Sequence, residues 1–259
     1  MPDTIRLPSF RLDDRVAMVT GSGTGIGAGI ASGFAQAGAD LVLVGRTLGT
    51  LEVTARRVES FGRKATIIVC DLTDRTELRR QIASLSSLDI LVNNAGTSIP
   101  SPILEVTDAS LDTMVNLNVT ALFIASQAAT RKMLDNQDRR QRGGAIVNIS
   151  SQMGHVGSTN RTVYCMTKHA VEGLTKAMAI ELAPHRIRVN SVGPTLVDTP
   201  LARRVVDTPE KRAYFQSRIP LGDLASVEDI VAAAVYLASP AAAMVTGAHL
   251  LVDGGWTAQ

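Results

Sequence analysis

Short apolar runs rich in β-branched residues alternate with longer segments of helical spacing along nearly all 259 residues of this chain. Val16–Thr20, Leu41–Val44, Ala65–Cys70, Asp89–Asn93, Ala145–Ile149, Ile187–Ser191 and His249–Val252 read as strands. Ile26–Ala37, Leu48–Phe61, Ser110–Met133, Thr162–Leu182 and Ser226–Ala238 read as helices. Asp74, with Glu77 three residues on, reads as an N-cap box opening another helix. Strands without polar alternation are buried on both faces. The pattern therefore predicts one α/β domain, a doubly wound, mostly parallel seven-stranded sheet with helices on both faces. It spans residues 15–259, behind an N-terminal arm of residues 1–14. Ligands of such sheets bind beyond the C-terminal ends of the strands.

Two stretches break the alternation. Leu134–Gly144 is a dense charge run and reads as a solvated helix end and loop. Thr195–Asp223 carries Pro200, Pro209 and Pro220 and no strand. It reads as a lid over the pocket, with one or two short helices.

Composition narrows the function classes. A 45% hydrophobic content excludes a disordered chain. The longest apolar run, Ile230–Ala238, is too short to span a bilayer, and the first ten residues lack a signal-peptide core. A net charge of +2 from 26 basic and 24 acidic residues gives no nucleic-acid or membrane surface. Two cysteines, Cys70 and Cys165, suit a reducing compartment, so a cytoplasmic location is expected. The four histidines are scattered, and no metal-ligand spacing appears.

Three motifs fall at strand ends. Thr20-Gly21-Ser22-Gly23-Thr24-Gly25-Ile26-Gly27 joins the first strand to the first helix, where free N–H groups and the helix dipole favour a pyrophosphate. Asn93-Asn94-Ala95-Gly96 ends the fourth strand with small residues over which a cofactor could lie, though alone it reads as a turn. Tyr164 and Lys168, four apart, share a helix face, and Ser151 lies just past the fifth strand.

In this order and spacing the segments resemble the short-chain dehydrogenase/reductase family, from about Arg15 to Trp256. TGSGTGIG, Asp71-Leu72, NNAG, VNLNVT, IVNISSQMG, YCMTK, RVNSVGP and VDGGW carry the likeness. The resemblance implies a Rossmann-type fold and an NAD(P)(H)-dependent oxidoreductase that interconverts a ketone or aldehyde and an alcohol. A sugar, polyol or 3-oxoacyl compound is the expected substrate class. It implies Tyr164 as general acid/base, Lys168 as its electrostatic partner, Ser151 as donor to the substrate oxygen, and Asn118 as holder of a relay water. It implies cofactor contacts at Gly21, Ser22, Thr24, Gly25, Ile26, Gly27, Arg46, Asp71, Leu72, Asn94, Ala95, Gly96, Tyr164, Lys168, Pro194, Val197 and Thr199. A homotetramer is also implied. The alternative function is a catalytically silent dinucleotide sensor, which has no need of the full Asn118, Ser151, Tyr164 and Lys168 set.

A free phenol has a pKa of about 10, so activity near neutrality asks for a lowering worth about 4 kcal/mol. An ammonium about 4 Å away at an effective dielectric near 20 supplies about that much. The second strand ends at Gly45-Arg46, where a carboxylate would select against a 2′-phosphate. A guanidinium there favours NADP(H), with NAD(H) the alternative; a plain reading of Arg46 is stacking on adenine or a solvent-facing side chain. Pro194-Thr195 stands where the family commonly has Pro-Gly. Gln152, Met153, His155, Asn160 and Arg161 lie between Ser151 and Tyr164, and some should line the pocket. Gln152 and His155 suit a hydroxylated substrate, and Arg161 suits a carboxylate or phosphate, with a surface or subunit contact its plainer reading. Cys165 reads as packing.

Overall fold

The computed structural model describes residues 7–135, 142–199, 202, 206 and 208–259. Seven strands form a single sheet: β1 (Val16–Thr20), β2 (Asp40–Gly45), β3 (Ala65–Val69), β4 (Ile90–Asn93), β5 (Gly144–Ile149), β6 (Ile187–Pro194) and β7 (His249–Val252). Their order is β3-β2-β1-β4-β5-β6-β7, and every pairing is parallel. The helices are α1 (Gly25–Ala37), α2 (Leu48–Ser60), α3 (Arg75–Ala83), α4 (Asp108–Val115), α5 (Leu122–Leu134), α6 (Thr162–Leu182), α7 (Pro209–Ser217) and α8 (Val227–Ala238).

The apolar strands feed two cores because successive side chains point to opposite faces. Ala17 and Val19 of β1 join Ile30 and Phe34 of α1, Leu51 of α2 and Ile230 of α8. Met18, between them, joins Leu78 of α3 and Ala125 and Met133 of α5 on the other face. Residue by residue, this two-sided burial removes the polar alternation from the sequence. It also places the strand-order reversal between β1 and β4, where a crevice opens beyond the strand ends.

Local boundaries show where side-chain chemistry decided matters. Asp74 caps α3, its Oδ1 accepting from the backbone N–H groups of Thr76 (3.1 Å) and Glu77 (3.0 Å). The reciprocal half of the expected box is replaced, because the Glu77 carboxylate takes Arg80 at 2.7 Å and Gln81 at 2.7 Å instead. Ser226 and Asp229 make the full box at the start of α8. The single helix expected over Ser110–Met133 begins at Asp108 and is interrupted by a π turn at Asn116–Ala121. β6 runs three residues past its expected end, to Pro194, where β7 continues the ladder beside it. Of the two irregular stretches, residues 136–141 and 200, 201, 203–205 and 207 lie outside the described residues. Within the expected lid, α7 is one short helix, with Thr208 capping it.

Candidate active site

The cleft beyond the strand ends has a volume of about 800 Å³. Its floor is the turn from β1 into α1. Gly25 adopts φ +55°, a left-handed conformation that favours glycine. A Cβ on Gly27 would overlap the Gly21 carbonyl oxygen and the Asn94 amide. Thr24 precedes α1 without a side-chain cap, and the first turn holds no acidic residue. The leading N–H groups and the positive end of the dipole are thus left for an anion. Thr20 ties this loop to the end of β4: its Oγ1 accepts from the N–H groups of Asn94 (3.0 Å) and Ala95 (3.1 Å). The Asn94 amide donates back to the Thr20 carbonyl at 2.9 Å. Thr20 as a brace was missed; its place between an apolar strand and the glycines was the available signal.

The expected cofactor residues line this cleft, with one exception. Ser22 is fully buried outside the cleft lining, and its hydroxyl faces the Val44 carbonyl. Arg46 and Asp71 flank one end of the cleft. Asp71 accepts from the Thr73 N–H and hydroxyl through one oxygen, and these bonds with the nearby Arg46 charge hold its carboxyl below the usual range. The uncapped turn, glycine floor and flanking cation fit a dinucleotide phosphate.

At the other end stand Ser151, Tyr164 and Lys168. Ser151 follows β5, and its Oγ accepts from the Met153 N–H at 3.1 Å. Tyr164 and Lys168 project from the first two turns of α6. Lys168 Nζ lies 5.6 Å from the centre of the Tyr164 ring and donates to the Ile149 carbonyl at 2.9 Å. Burial pushes the Tyr164 phenol above its ordinary value, opposed by a hydrogen bond with Ser151 and by the charge of Arg161. Burial also pulls the Lys168 ammonium down to about 8.

Asn118 does not line the cleft. It is buried in the π turn, and its amide is fully committed. Its Nδ2 donates to the Thr97 carbonyl (2.8 Å) and the Thr167 hydroxyl (3.1 Å), and its Oδ1 accepts from the Thr97 N–H (2.8 Å). Below it, the Asn93 amide donates to Ser126 and Asn148, and the Asn148 amide to Thr175, each at 2.9 Å. This buried polar chain joins β4 and β5 to α5 and α6. Sequence reading missed it, because it depends on strand register.

Gln152, Met153 and Arg161 line the cleft, as does Thr195; His155 and Asn160 do not. His155 turns instead toward Glu172, its Nε2 lying 3.7 Å from the carboxylate. The same carboxylate accepts from the Ser191 hydroxyl at 2.7 Å and contacts His249 Nδ1. Gln152 Oε1 and Thr195 Oγ1 are buried at the cleft wall without a hydrogen-bond partner among the described residues. Both cysteines are free, and burial pushes the Cys70 thiol up to about 11. Among the described residues, no helix is long and apolar enough to cross a membrane.

A family model described as enoyl-(acyl carrier protein) reductase matches residues 21–257. L-xylulose reductase of Mus musculus is 41% identical, covering 95% of this chain and 98% of its own. D-erythrulose reductase of Gallus gallus is 37% identical, covering 96% and 98%. The structure of a gluconate 5-dehydrogenase from Burkholderia cenocepacia, in complex with NADP and tartrate, superposes with a TM-score of 0.91. It is 34% identical and covers 98% of this chain and 99% of its own. End-to-end matches at this identity, with a superposition over nearly the whole fold, leave one assignment: the chain belongs to the short-chain dehydrogenase/reductase family.

Proposed function

We propose that this protein is an NADP(H)-preferring oxidoreductase that interconverts a polyhydroxylated ketone and its alcohol. The observation that carries the reading is the convergence of Ser151, Tyr164 and Lys168 at the end of the cleft opposite the phosphate-fitting turn. Gln152 and Thr195 line the cleft, and their polar side chains support a hydroxylated substrate. The sugar- and polyol-acting relatives support the same class.

When bound, a nicotinamide dinucleotide supplies or accepts the hydride. The protein's own part is positional and acid–base. Ser151, which lines the cleft with Tyr164, fixes the substrate oxygen beside the phenol. The raised phenol is protonated at pH 7, the form that donates to a carbonyl oxygen as negative charge develops on it. Lys168 spends one N–H on Ile149 and has two left for hydroxyl groups in the cleft. Asn118 is held in the π turn by Thr97 and Thr167, and the family likeness supports its role as holder of a relay water. The exposed apolar Phe123 on α5 and Met166 and Ile180 on α6 support a homotetramer.

Arg46 beside the Gly45 end of β2 supports the NADP(H) preference. Arg46→Ala should weaken NADPH binding about 10- to 100-fold, the worth of charge-assisted hydrogen bonds, and change NADH binding about 3-fold at most. Titration of nucleotide fluorescence measures both; equal loss, or no loss, removes the preference.

A further inference from the structure

We propose that Arg161 is an oxyanion-binding residue of the substrate cleft, and that the substrate is a polyhydroxylated compound bearing an acidic group, a carboxylate or a phosphate. The proposal rests on the reading of this cleft as a carbonyl–alcohol site and names what that reading leaves open.

Arg161 stands just before α6, three residues ahead of Tyr164, and lines the cleft with Ser98, Ser151 and Tyr164. It is half-buried, and burial pulls its pKa down from the usual guanidinium value. Among the described residues no carboxylate lies within ion-pair distance of it. Its one hydrogen bond there is to an uncharged partner, from Nη1 to Ser98 Oγ at 2.6 Å. Other arginines removed from water are provided for. Arg15 faces Asp89 at 3.5 Å and Arg63 meets Asp40 at 2.9 Å. Arg188 donates to the carbonyls of Leu237, Ala238 and Ser239.

A half-buried cation without a counter-ion is unfavourable unless something completes it. Two acidic residues line the same cleft. Asp71 is engaged by Thr73 and sits by Arg46 at the cofactor end, and Asp112 is exposed and makes no ion pair with Arg161. With Nη1 held by Ser98, Nε and Nη2 are left for an incoming oxyanion, which accepts them as a charge-assisted pair. The cation stands one helical turn from the reacting phenol, so the anion it holds belongs to the molecule being turned over.

The test is calorimetric, on the full protein saturated with NADP⁺, so that a ketone binds without reacting. The probes are 5-keto-D-gluconate, D-fructose 6-phosphate and D-fructose. The proposal expects one of the two anions to bind at least about 10-fold tighter than fructose, and which one does so identifies the acidic group. Arg161→Gln should abolish that preference, and Arg161→Lys, a point charge without the fork, should restore part of it. Fructose binding as tightly as both anions, or an anion preference unchanged in Arg161→Gln, overturns the proposal. Oxidation of NADPH is followed separately with the same probes. Anion binding lost in Arg161→Gln but without turnover supports this proposal and counts against the redox reading alone. Turnover of all three at equal kcat/KM upholds the redox reading and overturns this proposal.

Discussion

Replacing Lys168 by methionine should stabilise the nucleotide-free protein at neutral pH while removing its activity. Lys168 is 5% exposed, and among the described residues its ammonium's one hydrogen bond is to the Ile149 carbonyl. Its pKa falls from 10.5 to about 8 through burial, with the Glu172 charge opposing. At 1.36 kcal/mol per pH unit that difference is about 3 kcal/mol. Below about pH 8 both folded and unfolded chains carry the proton, so folding must bury the charge and the full penalty is present. Between about 8 and 10.5 the unfolded chain binds more protons than the folded one. Wild-type stability therefore gains from this group as pH rises, and above 10.5 the penalty is gone. Methionine escapes the penalty but leaves the Ile149 carbonyl without its donor, at about 1 kcal/mol. The net gain at pH 7 is about 2 kcal/mol, a rise in Tm of about 5 °C. Urea denaturation of both proteins at pH 7 and pH 10.5 measures it. A variant less stable than wild type at pH 7, or a gap that is the same at both pH values, refutes the reasoning.

Further expectations follow from the loop and the buried amides. Gly27→Ala places a methyl against the Gly21 carbonyl, and should lower stability by about 1–3 kcal/mol in a thermal melt and weaken nucleotide binding at least 10-fold. Thr167→Val removes the acceptor of one Asn118 N–H, and should cost about 1–3 kcal/mol in urea denaturation. A cost below about 0.5 kcal/mol would mean that the amide is held from Thr97 alone.

What could be read from the chain beforehand was whatever depends on local pattern. The strands of β1, β2 and β4 are legible because both of their faces are apolar, and a doubly wound sheet then puts TGSGTGIG, NNAG and Ser151 at one edge. What depends on distant partners was not legible. His155 is drawn off the substrate path by Glu172, which also engages His249 from the far end of the chain. The π turn that carries Asn118 has no residue pattern to announce it. Half of the Asp74 box failed because Arg80, one turn along, competes for Glu77. Spacing places Tyr164 and Lys168 on one face, but says nothing of how deeply both are buried or that the amine binds Ile149.

Tyr164 is the proposed group that moves the proton. Tyr164→Phe, assayed for NADPH binding and for ketone reduction in the same preparation, tests this most directly. The expected result is a nucleotide dissociation constant within about 3-fold of wild type and a kcat lowered by at least about 10³-fold. Turnover within 10-fold of wild type, with binding intact, would contradict it.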